Sequence, residues 1–330
     1  MVTIVDVARA AGVSKSTVSR VLDERLPRSQ SATAQRVRQV AAELGYIRDP
    51  LASGLRRAGT STVGVVVPRL TDTVMAMLYE EIAAAAATRG LFAVVATTDD
   101  QPDIERVALA SLLRRRVDGL ILTTARIGEP TPLPDEGPAV PHVLALRTNG
   151  TSFASVGDDH LGAYLASRHL LDLGHRRIGL VAGPPYASSA RDRRAGYLGA
   201  LDEAGVPADE SLLVGDSFSM HAGEMAGHAL LDRPDRPTAV FAVNDNTAIG
   251  VMAAAHALGL RIPEDLSLVG YNDIPVVSRL PVPLTTVRVP FRQIATGALD
   301  LLNEASADAP PRTLTSAPTL IPRRSTASPR

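Results

Sequence analysis

The chain has 330 residues, a formal net charge of -1 at pH 7, 45% hydrophobic and 21% charged residues, values that are ordinary for a folded soluble protein of two or three domains. It contains no cysteine, which excludes disulfide-stapled folds and cysteine-ligated zinc sites. Its apolar runs are strand-length and charged residues interrupt the first twenty positions, so we expect no membrane span, no signal peptide and a cytoplasmic location.

The near-neutral charge hides an asymmetry along the chain. Residues 1–60, which we call the head, carry ten basic and five acidic residues and a net charge of +5. Residues 61–330, the body, have a net charge of -6. A basic head on an acidic body is typical of a nucleic-acid-binding protein with a separate second function, although a solvated basic face without a partner gives the same charge.

The head begins with two short predicted helices. Residues Thr3 to Asp6 form a capping box for a helix that ends at Gly12. Ser14 is suited to cap a second helix over 15–22, whose apolar residues lie on one face at helical spacing. The opposite face carries Lys15, Ser16, Ser19 and Arg20. Two short helices around a glycine-containing turn predict a helix-turn-helix.

A third predicted helix over 31–44 closes a small core against the first two. Residues 49–60 follow as a short basic run that contains Gly54 and is too short to form a stable isolated helix. This run is either an ordinary linker or a hinge that folds on DNA and inserts Leu55 between base steps of the minor groove.

Several segments of the head match a known family in register: VDVA at 5–8, AGVS at 11–14, TVSRVL at 17–22, AAELGY at 41–46 and LR at 55–56. The head therefore resembles that of the lactose-repressor (LacI/GalR) family of bacterial transcription regulators. The resemblance implies that Lys15, Ser16 and Arg20 face base edges and that Leu55 is the minor-groove wedge. It places Ser14, Thr17 and Ser19 at backbone phosphates.

In the body, strand-like apolar runs alternate with amphipathic helical segments. This rhythm predicts two parallel-sheet α/β units with a ligand cleft beyond the carboxyl ends of their strands. The predicted strands are 63–67, 91–96, 119–123, 142–146, 177–182, 212–214, 239–243 and 266–271, and the predicted helices are 75–89, 104–116, 161–173, 192–204, 220–231 and 247–258.

The body also resembles the same family, through LGHRRI at 173–178, PTAVFA at 237–242, ND at 244–245, LGLRIP at 258–263, LVGYND at 268–273 and PLTTV at 283–287. The resemblance implies an all-α helix-turn-helix head (1–48), a hinge (49–60) and an α/β effector-binding and dimerisation domain (61–330) like periplasmic sugar-binding proteins. The first parallel-sheet subdomain would hold about 61–159 and 289–316. The second would hold about 160–288 and 317–326.

Candidate effector-binding residues follow from this resemblance. Arg193 matches the ligand-clamping arginine, Asn244 a second ligand-binding amide and Phe218 the aromatic side chain that packs on the ligand ring. Asn272 stands where many sugar-binding members carry aspartate. Two further candidates lie in the first subdomain: Thr123, which ends the predicted strand 119–123, and Arg147. Each of these residues could instead be strand-end surface or core.

The first subdomain departs from the family pattern at two places. Thr71 to Val74 replace the usual Asn-Pro-Phe-Phe segment, and Leu146 followed by Arg147 replaces an aspartate of the sugar-binding members. Arg147 beside Arg193 would suit an anionic effector, such as a sugar acid or a phosphate ester. The sequence thus predicts a sugar-like effector and leaves a neutral and an anionic one open.

Sequence signatures of catalysis are absent. There is no dinucleotide or phosphate-binding glycine motif, no G-x-S-x-G and no H-E-x-x-H. Asp158 and Asp159 read as a helix N-terminus rather than an acid/base pair. We therefore expect no enzyme activity, no cofactor and no metal.

The leading hypothesis is a homodimeric repressor that binds near-palindromic double-stranded DNA at the nucleoid under the control of a small effector. An inducer and a corepressor fit equally well. A periplasmic-type solute-binding protein is the alternative, which the basic head and the missing signal peptide oppose. A sugar-modifying enzyme is a third hypothesis, which lacks any catalytic residues.

Overall fold

The computed structural model describes residues 2–22, 29–46, 60–134, 140–305 and 310–330. The chain divides into two compact units, Met1–Thr60 and Ser61–Arg330, which coincide with the head and the body. The predicted hinge wedge Leu55 lies outside the described residues. Within them, no helix combines the length and apolar character that are needed to cross a membrane.

The head contains three short helices: α1 (Ile4–Ala11), α2 (Lys15–Val21) and α3 (Ala32–Glu43). The predicted capping box is present, because Thr3 Oγ1 accepts the Asp6 N–H and Asp6 Oδ2 accepts the Thr3 N–H at 2.9 Å. Gly12 ends α1 with φ 63°, a left-handed conformation that glycine adopts without strain.

The core of the head is built from small and β-branched side chains at helical spacing. Val18 is the fully buried residue of α2, and it packs with residues of the other two helices. The buried set is Val7, Ala8, Ala11, Val18, Val37 and Ala41. Because one face of α2 supplies this core, its other face remains exposed to solvent.

The body contains two six-stranded sheets. The first has the strand order β11-β5-β4-β3-β1-β2 and is parallel throughout. Its elements are β1 (Thr62–Val67), α4 (Thr73–Thr88), β2 (Phe92–Thr97), α5 (Pro102–Arg114), β3 (Gly119–Leu122), β4 (His142–Ala145), β5 (Ala154–Gly157), α10 (Phe291–Glu304) and β11 (Thr313–Ser316).

The second sheet has the order β12-β10-β9-β8-β6-β7 and is parallel except for β12, which runs antiparallel to β10. Its elements are α6 (Asp159–Asp172), β6 (Ile178–Val181), α7 (Ser188–Glu203), β7 (Leu213–Val214), α8 (Met220–Leu231), β8 (Ala239–Ala242), α9 (Asp245–Ala257), β9 (Ser267–Asn272), β10 (Thr285–Arg288) and β12 (Thr319–Ile321).

The chain passes between the two sheets three times, after β5, after β10 and after β11. Each sheet therefore takes its last strand from the end of the chain. The segment after β12 is fixed to the second sheet by Ser325, whose buried hydroxyl accepts the Thr285 N–H at 2.8 Å and donates to the Leu268 carbonyl at 2.6 Å.

Helices α6 and α7 cross closely because Gly196 of α7 lies against the backbone of α6. A Cβ atom at Gly196 would lie 2.1 Å from the His160 carbonyl oxygen. Gly199, one turn further along α7, has much more room, since its nearest neighbour would lie 3.8 Å away.

The α/β architecture that the sequence predicts is confirmed, and most predicted elements are present within one to four residues. The sequence pattern does not predict β5, β10, β11 or α10. Helix α7 begins at Ser188, four residues before the predicted start. Its N-cap is Ala187, and no side chain caps it. The usual polar signal for a helix start is therefore missing from the sequence.

Candidate functional sites

Helix α2 presents a polar surface on the face opposite Val18. Lys15, Ser16 and Arg20 are exposed and form no salt bridge with any described residue. Ser14 is exposed as well and caps α2 by accepting the Thr17 N–H at 3.1 Å. The structure thus brings the predicted base-contacting residues together on one helix face, which has the size of a major-groove reader.

The predicted phosphate contacts lie at the start and along the side of this surface. The Ser14 hydroxyl is 2.8 Å from both the Ser16 and the Thr17 hydroxyl oxygens, so the three form a cluster at the helix N-terminus. Ser19, one turn after Ser16 in the same helix, is half-buried. Hydroxyl groups at a helix N-terminus are suited to bind a phosphate oxygen, because the dipole there favours negative charge.

The body contains a cleft of about 430 Å³ at the carboxyl ends of strands from both sheets. Five of the six predicted effector-binding residues line it: Arg147, Arg193, Phe218, Asn244 and Asn272. Residues of the first subdomain form one wall and residues of the second form the other. A cleft of this size suits a mono- or disaccharide-sized ligand.

Arg193 is held rigidly in the wall of the second subdomain. Its Nε donates to Asp159 Oδ1 at 2.8 Å and its Nη1 donates to the Val243 carbonyl at 2.7 Å. The guanidinium lies 3.7 Å above the centroid of the Tyr271 ring. Burial raises the pKa of the Asp159 carboxyl, so the ion pair with Arg193 is what favours its ionised form.

Asn244 and Phe218 are joined to each other. Asn244 caps α9 by accepting the Thr247 N–H on Oδ1 at 2.8 Å, and its Nδ2 donates to the Phe218 carbonyl at 3.0 Å. The amide thus positions the backbone of the aromatic residue as well as the helix. Next to Asn244, the Asp245 carboxylate is fully buried and accepts from the Thr286 hydroxyl at 2.6 Å and the Ile274 N–H at 2.8 Å.

Asn272 and its neighbours have strained backbones at the cleft. Asn272 has φ 109°, Asp273 φ 57° and, across the cleft, Leu146 φ 63°. Residues other than glycine adopt such angles at a cost of about 1–3 kcal/mol each, and they cluster where ligands bind. Two strand ends that face one cleft therefore carry stored strain.

Arg147 is paired with a carboxylate of its own wall. Its Nη1 is 3.2 Å from Asp100 Oδ1, and only 6% of the Arg147 side chain is exposed. Arg193 is likewise paired with Asp159. The hypothesis of an anionic effector assumed two arginines whose charges were available to a ligand, and these contacts weigh against that premise.

Thr123 does not line the cleft, and the prediction for it is corrected. The side chain is fully buried, and its hydroxyl donates to the Val66 carbonyl at 3.2 Å and contacts Met75 Sδ at 3.4 Å. Strand β3 ends one residue earlier, but the Thr123 N–H still donates to the Val66 carbonyl of β1 at 3.0 Å, so both the backbone and the hydroxyl of Thr123 bond to β1.

Direct hydrogen bonds join the two walls of the cleft. Tyr186 donates its hydroxyl to Asp100 Oδ2 at 2.9 Å, and Asn246 Nδ2 donates to Asp72 Oδ1 at 3.1 Å. The Thr148 N–H donates to Ser188 Oγ at 2.8 Å. Four residues of these contacts were not among the predicted site residues: Asp72, Asp100, Tyr186 and Asn246. All four follow strand ends within five residues, a placement that indicates a cleft in parallel α/β folds.

No group of three His, Asp or Glu side chains in the described ranges is arranged to hold a metal ion. The polar groups of the cleft are instead hydrogen-bond donors and acceptors and charged side chains, most of which are paired. Such a lining binds and orients a polar ligand.

Two family models match the chain. Residues 3–49 match the model of bacterial regulatory proteins of the lacI family, and residues 167–326 match a periplasmic binding protein-like domain. The ribose operon repressor of Escherichia coli (strain K12) is 34% identical over 305 residues, which cover 92% of each chain.

Two solved structures have the same fold over nearly the whole chain. A lac repressor dimer bound to operator and the anti-inducer ONPF has a TM-score of 0.86 and 28% identity, covering 99% of both chains. A complex of the transcriptional regulator CelR with cellobiose has a TM-score of 0.72 and 29% identity, covering 98% of this chain and 100% of that one.

Proposed function

We propose that this chain, which belongs to the lacI family of bacterial regulatory proteins, divides the work of a transcriptional repressor between its two units. The head, with residues 1–48 as its helix-turn-helix and 49–60 as a hinge, binds operator DNA. The body, residues 61–330, forms the homodimer and binds a sugar-like effector in its cleft. A homodimer presents two heads and therefore selects a near-palindromic operator in the cytoplasm, at the nucleoid.

The exposed polar face of α2 is the observation that supports the assignment of the DNA contacts. In this proposal Lys15, Ser16 and Arg20 contact base edges, and Arg20 pairs bidentately with a guanine. Ser14, Thr17 and Ser19 bind backbone phosphates and fix the register of the helix. Leu55 inserts into the minor groove as an apolar wedge.

The cleft supports the effector assignment for the five residues that line it. Arg193 supplies a rigid donor, the Asn272 amide is available to hydroxyl groups, and Phe218 packs against the apolar face of a ring. The Asn244 amide can add a bond to its existing ones with Thr247 and Phe218. Arg147 is a positioning residue on the opposite wall. The effector controls operator affinity by binding the two conformations of the dimer unequally.

Fluorescence anisotropy with the full-length protein and DNA that flanks its own gene tests the DNA assignment. We expect binding that survives competition by unrelated duplex DNA and weakens steeply between 50 and 200 mM salt, because phosphate contacts release counterions. Binding that competitor DNA removes completely at low salt would contradict sequence-specific recognition.

A thermal-shift screen against sugars, sugar acids and nucleosides tests the effector assignment. A compound that binds the folded body raises its apparent melting temperature by mass action. The same compound must then change operator affinity, and the sign of that change distinguishes an inducer from a corepressor. A compound that stabilises the body and leaves operator affinity unchanged would refute its role as effector.

A further inference from the structure

The arginines of the cleft already have carboxylate partners. Arg147 pairs with Asp100, Arg193 with Asp159, and Arg69 at the rim with Asp99. A ligand that enters the cleft therefore meets no arginine, among the described lining residues, that lacks a carboxylate partner. Carboxylates are in excess, because Asp72 and Asp216 also line the cleft and form no salt bridge with a described residue.

Asp72 is the more buried of these two carboxylates. Its Oδ1 accepts the Val74 N–H at 3.1 Å, as the N-cap of α4, and the Asn246 Nδ2 from the opposite wall at 3.1 Å. Burial raises the pKa of the Asp72 carboxyl, because its two hydrogen bonds and the charges of Arg147 and Arg69 only partly offset the loss of solvent. A positively charged group next to Asp72 would remove this cost.

Asn246 provides a second, independent indication at the same place. The side chain is only 8% exposed, and its Oδ1 is buried without a hydrogen-bond donor. The amide orientation is fixed, because the group that faces the Asp72 carboxylate must be the nitrogen. A buried carbonyl oxygen that lacks a donor calls for one from outside the protein.

These contacts lie within the cleft that the proposed function assigns to the effector, and the inference rests on that function. We propose that the effector carries a protonated primary amine, which binds at Asp72 and Asn246, on a polyhydroxylated ring: an amino sugar. An ammonium group has three donors and no acceptor, so it matches a site whose unpaired groups, the Asp72 carboxylate and Asn246 Oδ1, are acceptors. A hydroxyl donates only once, and a water molecule donates twice but brings no charge.

The remainder of the cleft suits the rest of such a ligand. The amides of Asn244 and Asn272 are neutral partners for ring hydroxyls, and Phe218 offers an apolar face. The excess of carboxylates attracts the cation and repels sugar acids and phosphate esters. The cleft therefore separates ligands by charge as well as by shape.

Isothermal titration of the full-length protein with matched probes tests this inference. The probes are D-glucosamine and D-galactosamine, each against its parent hexose, together with N-acetyl-D-glucosamine, D-glucuronate and glucose 6-phosphate. We expect at least one amine to bind about tenfold or more tightly than its parent hexose, since a hydrogen bond to a charged group contributes that much. N-acetylation should remove the gain, because it keeps the bulk and removes the charge.

The Asp72→Asn variant tests the residue itself. Asparagine caps a helix as well as aspartate does, so α4 should form normally. We expect the amine and its parent hexose to bind this variant within about twofold of each other. Asp103→Asn is the matched control, because it removes the same charge from the exposed surface of α5. The control should keep the full preference, and a melting curve verifies the folding of both variants.

Several results would overturn the inference. A parent hexose or an acidic probe that binds more tightly than every amine would do so, and so would an unchanged preference in Asp72→Asn. The inference would also be overturned if no probe bound at concentrations up to 50 mM to a preparation that binds its operator. If Asp72→Asn does not fold, the comparison of D-glucosamine with its N-acetyl derivative decides. Because operator binding is measured alongside, failure of the amine proposal is distinct from failure of the repressor function.

Discussion

Replacing Arg193 with methionine is expected to destabilise the body by about 3–5 kcal/mol at pH 8. Methionine keeps the apolar stem but removes the guanidinium, which leaves the Asp159 carboxylate without its partner. Both side chains are only 7% exposed, so solvent cannot take over the role of the lost partner. Breaking a buried ion pair by removing one member costs this much because the other charge stays buried.

The loss should depend on pH in a defined direction. Burial already raises the pKa of Asp159 above that of an exposed aspartate, and removal of the guanidinium raises it further. A carboxyl whose pKa is higher in the folded than in the unfolded chain gives its full stability at low pH and loses it as the pH rises. The deficit of Arg193→Met should therefore shrink from pH 8 to pH 5, by up to about 1.4 kcal/mol per pH unit.

Urea unfolding followed by far-UV circular dichroism measures both effects, because the chain has no tryptophan for fluorescence. The double variant Arg193→Met with Asp159→Leu is the control. It should be more stable than the single variant, since it removes the buried charge that the single variant leaves unpaired. A loss below about 1 kcal/mol, or an equal loss at pH 5 and pH 8, would refute this account of the pair.

Three further predictions concern the operator contact, a buried carboxyl and the helix crossing. Arg20→Ala should weaken operator binding by about 1–3 kcal/mol and relax the preference at one base pair, whereas Ser19→Ala should weaken binding to all sequences alike. Anisotropy with a panel of mutated operators distinguishes the two effects. If Arg20→Ala weakened binding to all sequences alike, Arg20 would be a phosphate contact. Burial raises the pKa of Asp245 to about 7, so its contribution to stability is lost as the pH rises from 4 to 7. Between pH 4 and pH 8, the free energy of unfolding should fall by about 3–4 kcal/mol more in the unsubstituted protein than in Asp245→Asn, as measured by urea titrations. An equal fall in the two proteins would contradict this prediction. Gly196→Ala should cost about 1–3 kcal/mol through its clash with the neighbouring helix. Gly199→Ala should be neutral or stabilising by up to about 1 kcal/mol, and equal melting temperatures of the two variants would be evidence against the close crossing.

Features that depend on neighbouring residues could be predicted from the sequence. The capping box at Thr3 and the left-handed Gly12 follow from local hydrogen bonds and from the absence of a Cβ atom. The buried strands of the parallel sheets appear as apolar runs because both of their faces are covered. These local signals fixed the helix-turn-helix and the α/β alternation of the body.

Features that depend on distant residues could not be predicted in this way. Strand β5 pairs with β11, more than 150 residues later, and neither is a continuous apolar run, since they read ASVG and TLTS. Arg147 has its partner Asp100 47 residues away. In the sequence, a second cation beside Arg193 left an anionic ligand open next to a neutral one, because nothing local indicates that a carboxylate will neutralise Arg147.

The discontinuous sheets have a consequence for the synthesis of the protein. Strands β11 and β12, the last strands of the two sheets, span residues 313–321 of a chain of 330. A ribosome must therefore translate as far as residue 316 before the first sheet is complete, and as far as residue 321 before the second is. Until then the edges of β5 and β10 carry unpaired backbone groups, which invite pairing with other chains. A product that terminates before residue 313 lacks both strands, so we expect it to aggregate or to be degraded rather than to act as a half-active repressor.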